Sequence, residues 1–414
     1  MIRVLQHSEA GDFFRRRASR LDEAERVVAP ILEAVRSRGD AAVLEYARQF
    51  DGFTGDRLAV PAEDCQAALE GLASEFRSAV EMAAKNIRHY AQSQLPREQF
   101  IEYADGRRLG QIVRPLDSMG AYVPAGRYPL PSTLLMTAIP AQAAGVRTIA
   151  VACPRPSPEI LGVAGYLRVP LVFRMGGAQA IAAFAFGTQT VPKVDRIVGP
   201  GNLYVAAAKK LIAGDTGIDF VAGPTEIVII ASEAEPVIVA ADMLAQAEHD
   251  TEASAILLTT SRSLAEAVAT EIESQLATLP TAPVSRQAIA RSSAIVLVDS
   301  LEQAVELSNL LAPEHLALYE RSLLPAVRHA GSIFLGPSSP EAAGDYCSGP
   351  NHVLPTSGAA RLRGGLSAAD FVKVISVLEL TREGLTTLAP SITTLARAEG
   401  LEGHARSVEV RLRG

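Results

Sequence analysis

The sequence predicts an α/β protein built on two parallel sheets, and three observations carry that expectation. From about residue 110, short β-rich runs alternate with alanine-rich helical runs, the pattern of strand–helix–strand units with helices on both sheet faces. Seven such strand-like runs, with two before them, exceed what one open sheet usually holds. At 414 residues the chain is also too long for a single hydrophobic core.

Taken in order, residues 21–49 carry helical apolar spacing (Val27, Ile31, Val35, then Ala42, Leu44, Ala47), and 62–93 read as another long helix. The seven strand-like runs are "TIAVAC", "VPLVFRM", "DRIVGP", "EIVIIAS", "SAILLTT", "SAIVLVD" and "GSIFLGP". The two modules meet near "FVAGPTE" at 220–226. Residues 236–250 read as a helix opened by Pro236, with an apolar stripe of Val237, Ile238, Ala241, Leu244 and Ala245. The tail after about 368 reads as helical and ends in a short strand-like "SVEVRLR".

Composition narrows the function classes. Hydrophobic residues make up 48% and charged residues 21%, an ordinary globular balance. A net charge of −7 argues against general nucleic-acid binding, which needs a basic footprint. No apolar run is long enough to span a bilayer, and the N-terminus lacks the apolar core of a secretory signal. Cys65, Cys153 and Cys347 form no CxxC pair, which points to a reducing cytoplasm without disulfides.

Several polar groups stand out. "RMGGAQA" and "IVGPGN" each follow a strand and lead into a helix, whose free N–H groups suit phosphate. No G-x-G-x-x-G occurs, so a dinucleotide would bind without the usual fingerprint. Gln246 and His249 stand three apart, on one helix face, flanked by Asp242 and Asp250. Half of a metal site and a solvated polar face both fit that spacing. "APEHLAL" places Glu314 beside His315 at the start of a strand-like run: a satisfied histidine in a capped turn, or a proton-transfer pair at a strand mouth. "GDYCSGPNHVLPT" (344–356) is a constrained polar loop. In it Asp345 is a better metal ligand than the isolated thiol of Cys347. His7, His89 and His329, among Arg or Tyr on helix surfaces or a mobile terminus, are assigned no role.

These pieces together resemble the histidinol dehydrogenase family. The resemblance runs from "VRSRGDAAVLEYARQFD" through "GAYVPAGRYPLPSTLLMTAIPAQAAGV", "GGAQAIAAFAFGT", "VPKVDRIVGPGNLYVAAAKK", "AGPTE", "AQAEHD", "APEHLAL" and "GDYCSGPNHVLPT" to "EGLEGHARSV". It implies two Rossmann-like modules with small N-terminal and C-terminal segments. The expected division is 1–15, then 16–121 with 223–367 as a discontinuous catalytic domain, 122–222 for NAD, and a tail of 368–414.

The resemblance implies one Zn²⁺ per subunit on Gln246, His249, Asp345 and His404, with Glu314 and His315 as the catalytic pair. It implies NAD contacts from Tyr122, Gln179 and Asn202. Substrate contacts are expected from Thr225, Gln246, His249, His315, Asp345, Glu399 and His404, with His352 near the site. The implied reaction is two NAD-dependent oxidations of L-histidinol, through L-histidinal to L-histidine, in a cytoplasmic homodimer with exchanged tails. Some relatives oxidise other small alcohols, such as a sulfonated propanediol; the presence of Glu399 and His404 favours histidinol. A silent binding protein on the same fold would have lost some of these residues, and none is lost. Two departures are Ala125 in "YVPAG", where the family often has glycine, and Thr225, where some members have serine.

Overall fold

The computed structural model describes residues 2–15, 21–125 and 128–413. Gly126 and Arg127 of "YVPAGRYP", and the domain start expected at residue 16, lie outside the described residues.

All seven strand-like runs form strands, and they divide between two parallel sheets. The first sheet has five strands in the order Leu171–Phe173, Thr148–Ala152, Ser118–Tyr122, Arg196–Val198, Gly217–Ile218. The second has six: Arg3–Gln6, Ala294–Leu297, Ser254–Thr259, Glu226–Ile230, His315–Leu318, Ser332–Leu335. Setting aside the edge strand Arg3–Gln6, both sheets follow one chain order, 3-2-1-4-5. In each, the first and fourth strands lie side by side, the switch point at which open α/β sheets form a crevice. The central strands Glu226–Ile230 and Ser254–Thr259 are buried along their whole length and mostly apolar, as strands covered on both faces tend to be.

Two long helical readings are each broken once. Residues 21–51 form helices Leu21–Arg38 and Asp40–Asp51, because Gly39 adopts a left-handed φ of 57° at the join. Residues 62–93 form Ala62–Glu70 and Ser74–Ser93. The expected grouping of 16–121 with the later module differs from the packing. Val28, Val35, Ala42 and Val43 share a core with Phe173, Phe184 and Ile197 of the five-stranded unit. Val80, Ala84 and Ile87 pack with Leu135 and Ile139 of the helix Pro131–Ala144.

A third, antiparallel sheet joins Gln99–Glu102, Arg107–Pro115 and Val372–Leu380. The tail therefore opens with a strand where the sequence suggested only helix. Its strand-like "SVEVRLR" is instead part of the helix Glu402–Leu412, which packs on Arg382–Ala398. There Ala405 and Val408 are buried and Val410 is exposed, a spacing of three rather than two. Among the described residues no helix is long and apolar enough to cross a membrane.

Candidate active site

The site is built at the amino ends of the two switch-point strands of the six-stranded sheet. Glu226 begins one strand and His315 the other, and His315 pairs in register with Ile227. Adjacent strand residues face opposite ways, yet Glu314 lies just before the strand, so its carboxylate turns into the same mouth. Glu314 Oε2 accepts from the Thr225 hydroxyl at 2.6 Å and from the Glu226 N–H at 2.9 Å. Gln246 Nε2 donates to the same Thr225 hydroxyl at 2.7 Å.

His315 is held by its other edge. Its Nδ1 lies 3.1 Å from the carbonyl oxygen of Glu226. A carbonyl only accepts, so in the neutral ring Nδ1 carries the proton and Nε2 is the free base. Nε2 is buried without a hydrogen-bond partner, 3.8 Å from Asp345 Oδ1. Glu314 Oε2 is 3.8 Å from Nδ1.

The electrostatics follow from burial. Loss of water pushes Glu314 up to about 7, against the opposing pull of His315, Thr225 and the Glu226 N–H. Burial works against a charge on His315, but Glu314, Asp345 and Glu341 outweigh it and raise the ring to about 10. Burial would also raise Asp345; the nearby His315, His352 and His249 outweigh that and hold it below the usual carboxylate range. Burial depresses His249, against the opposing pull of Asp345 and Glu248.

The helix carrying Gln246 spans Pro236–Ala247, so His249 lies just beyond its end and not on its face. Its buried stripe is Val239, Ala240, Met243, Leu244 and Ala247; Val237 and Ala241 of the expected stripe face solvent. His249 borders a cavity of about 750 Å³ that is also lined by Met82, Tyr128, Leu130, Tyr346 and Cys347. Asp345 sits in the short helix Glu341–Tyr346. His352 fastens this segment: Nδ1 is 2.8 Å from the Asp345 carbonyl and Nε2 is 3.4 Å from the Thr133 hydroxyl.

Among the described residues, no three His, Cys, Asp or Glu side chains form a ready metal cluster. The donors present nevertheless fit a zinc ion. Gln246 is 1% exposed, and its Oε1 is buried without a partner while its Nε2 is satisfied. An orphaned amide oxygen costs stability unless something completes it. Asp345 and His249, which interact electrostatically, offer a carboxylate and an imidazole, and with the Gln246 oxygen they make a nitrogen and oxygen set that suits Zn²⁺. Glu399 and His404 are not gathered here; both are exposed on the tail.

The residues expected to contact the cofactor flank the other switch point. Tyr122 ends one strand, and its hydroxyl accepts from Gly177 N–H at 3.2 Å. Gln179 is buried and donates to Asp51 Oδ2 at 3.0 Å. Asn202 caps the helix Leu203–Ile212 by accepting from Tyr204 and Val205 N–H, each at 3.1 Å.

Sequence reasoning missed Asp51, Glu226 and Glu341. Asp51 also accepts from Gly176 N–H at 2.9 Å and so shapes the "RMGGAQA" turn. Glu226 was legible as a charge opening an apolar run. Glu341 is buried with both oxygens unpaired and is held well above its usual range by burial.

The family model for histidinol dehydrogenase matches residues 14–412. A histidinol dehydrogenase of Thermus thermophilus is 48% identical over 404 residues, covering 96% of this chain and 97% of that one. One of Syntrophotalea carbinolica is 46% identical over 399 residues, covering 94% and 93%. The crystal structure of histidinol dehydrogenase from Elizabethkingia anophelis superposes with a TM-score of 0.95 at 36% identity, covering 100% of this chain and 98% of that one. A match of this extent, in sequence and in fold, has one meaning: the chain belongs to the histidinol dehydrogenase family.

Proposed function

We propose that this chain oxidises L-histidinol to L-histidinal and then to L-histidine, as a zinc- and NAD-dependent cytoplasmic enzyme of histidine biosynthesis. The observation that carries the proposal is the His315 ring, fixed through Nδ1 on the Glu226 carbonyl with Glu314 on that same edge, and with an unpartnered Nε2 beside Asp345. Nε2 accepts the alcohol proton as hydride leaves for NAD⁺. Glu314, poised near neutrality, then takes a proton from water that adds to the aldehyde, and bound NAD⁺ would supply the hydride acceptor for this step as for the first. Thr225 and the Glu226 N–H keep Glu314 oriented through both steps. Gln246, His249 and Asp345 would hold zinc, which would template the substrate and offset the Asp345 charge that otherwise favours a protonated His315. Tyr122, Gln179 and Asn202 form the NAD contacts, and Thr225, Gln246, His249, His315 and Asp345 face the substrate.

Counting products tests this reading. Purified protein with limiting L-histidinol should form two NADH per substrate, and a chelator should abolish turnover. One NADH, or none, would overturn it.

We further propose a homodimer in which Glu399 and His404 complete the partner's site. Their helices pack chiefly on each other, and Leu395, Leu401 and Val410 there are exposed, as are Ile375 and Leu378 on the tail's strand. Apolar surface of that extent favours a covering partner, and element exchange is an established route to symmetric dimers. Inactive His404→Ala and His249→Ala chains, refolded together, should regain activity, because one site of the mixed dimer carries both lesions and the other neither. Mixed dimers that stay inactive would confine His404 to its own subunit.

A further inference from the structure

Lys209 is 1% exposed, on the helix that Asn202 caps. Its ammonium donates to Asp219 Oδ1 at 2.6 Å and to the Gly199 carbonyl at 2.6 Å. Asp219 Oδ2 accepts from the Gly199 N–H at 2.8 Å, and Oδ1 also accepts from Phe220 N–H at 2.7 Å. One buried ion pair thus grips Gly199 through both its N–H and its carbonyl.

Gly199 follows the end of the fourth strand of the five-stranded sheet, beside Tyr122 at the end of the first. Its φ is 111°, and a Cβ there would lie 2.2 Å from the Tyr122 carbonyl oxygen. The residue opens the turn that leads through Pro200 and Gly201 to Asn202. A pair this deep is a poor stability device, because removing two charges from water commonly costs as much as their attraction returns. A buried pair is better explained by what it positions.

We propose that Lys209 and Asp219 are positioning residues for NAD⁺: they fix the turn 199–202 against Tyr122, so that the switch-point crevice is formed before the cofactor arrives. This rests on the reading that NAD⁺ binds at this turn. A preformed turn spares the cofactor the entropy of ordering it.

The test is the double variant Lys209→Met with Asp219→Asn, which removes both charges together and leaves neither unpaired. KM for NAD⁺ should rise about tenfold or more, the scale of lost charge-assisted hydrogen bonds, while KM for histidinol and zinc content hold. A folded double variant with unchanged KM for NAD⁺ would overturn the proposal. Asn202→Ala, assayed alongside, separates the two readings. If it raises KM for NAD⁺ and the double variant does not, the positioning proposal alone fails. If neither moves KM, the cofactor site itself is misplaced, and the proposal falls with it. Should the double variant not fold, hydrogen exchange at the Gly199 amide of the intact enzyme decides. Slow exchange without NAD⁺ supports a preformed turn, and fast exchange that slows only on adding NAD⁺ overturns it.

Discussion

The two parallel sheets share the order 3-2-1-4-5 but place their candidate chemistry at opposite ends. At the five-stranded sheet, Tyr122, Gln179 and Asn202 lie at or beyond the carboxyl ends of strands. At the six-stranded sheet, Thr225, Glu226, Glu314 and His315 cluster at the amino ends. A helix that follows a strand starts at the carboxyl end and finishes at the amino end. One end of each sheet is therefore ringed by helix N-termini, partly positive, and the other by helix C-termini, partly negative. Phosphate suits the first and a cation the second. Gln246 in the last turn of its helix, with His249 just beyond, places the proposed ligands where that field favours a metal. The same topology can thus present an anion site and a cation site, provided opposite ends are used.

Four changes break or sharpen this contrast, from the largest expected effect down. His315→Asn removes the proposed base of both oxidations and should lower kcat by roughly a hundred- to ten-thousand-fold with either histidinol or histidinal, with KM for NAD⁺ unchanged. A variant that still oxidises histidinol well would place the base elsewhere. His249→Ala should cost on the order of a hundredfold in zinc affinity or more, read by metal analysis of folded protein. Full occupancy would remove the cation from this end of the sheet. Glu314→Gln should spare the histidinol step and slow oxidation of added histidinal by about a hundredfold; equal damage to both would contradict the division of labour.

The smallest effect is in pH. Glu314 is raised to about 7 and acts as its carboxylate, so protonation disables it as pH falls. Below pH 7 the histidinal rate should drop by about tenfold per unit, and this limb should vanish in Glu314→Gln. A histidinal rate that stays flat down to pH 5 would show that Glu314 is not the group being titrated.

Local readings survived folding better than pairings. "EIVIIAS" and "SAILLTT" read as strands because β-branched runs leave little choice, and Pro236 marked its helix start correctly. Which strands become neighbours is not written locally. Glu226 and His315 meet at 3.1 Å across 89 residues, so although the pair Glu314 and His315 was legible at the start of a strand, its junction with Glu226, and the tautomer it imposes, were not. The strand Val372–Leu380 escaped notice because much of it is exposed and no clean in-out alternation marks it. Gln246 and His249 were visible as a pair, but where the helix ends was not.

The edge strand Arg3–Gln6 also sets an order of assembly. It pairs with Ala294–Leu297, whereas the five-stranded sheet is drawn wholly from 118–218. During synthesis the five-stranded sheet can close as soon as its own residues have emerged. The first strand must wait for nearly three hundred residues to follow, its N–H and C=O groups unpaired meanwhile. Closing such a loop is entropically slow, so the six-stranded half should be the later of the two to mature and the one that most needs protection from aggregation while it does.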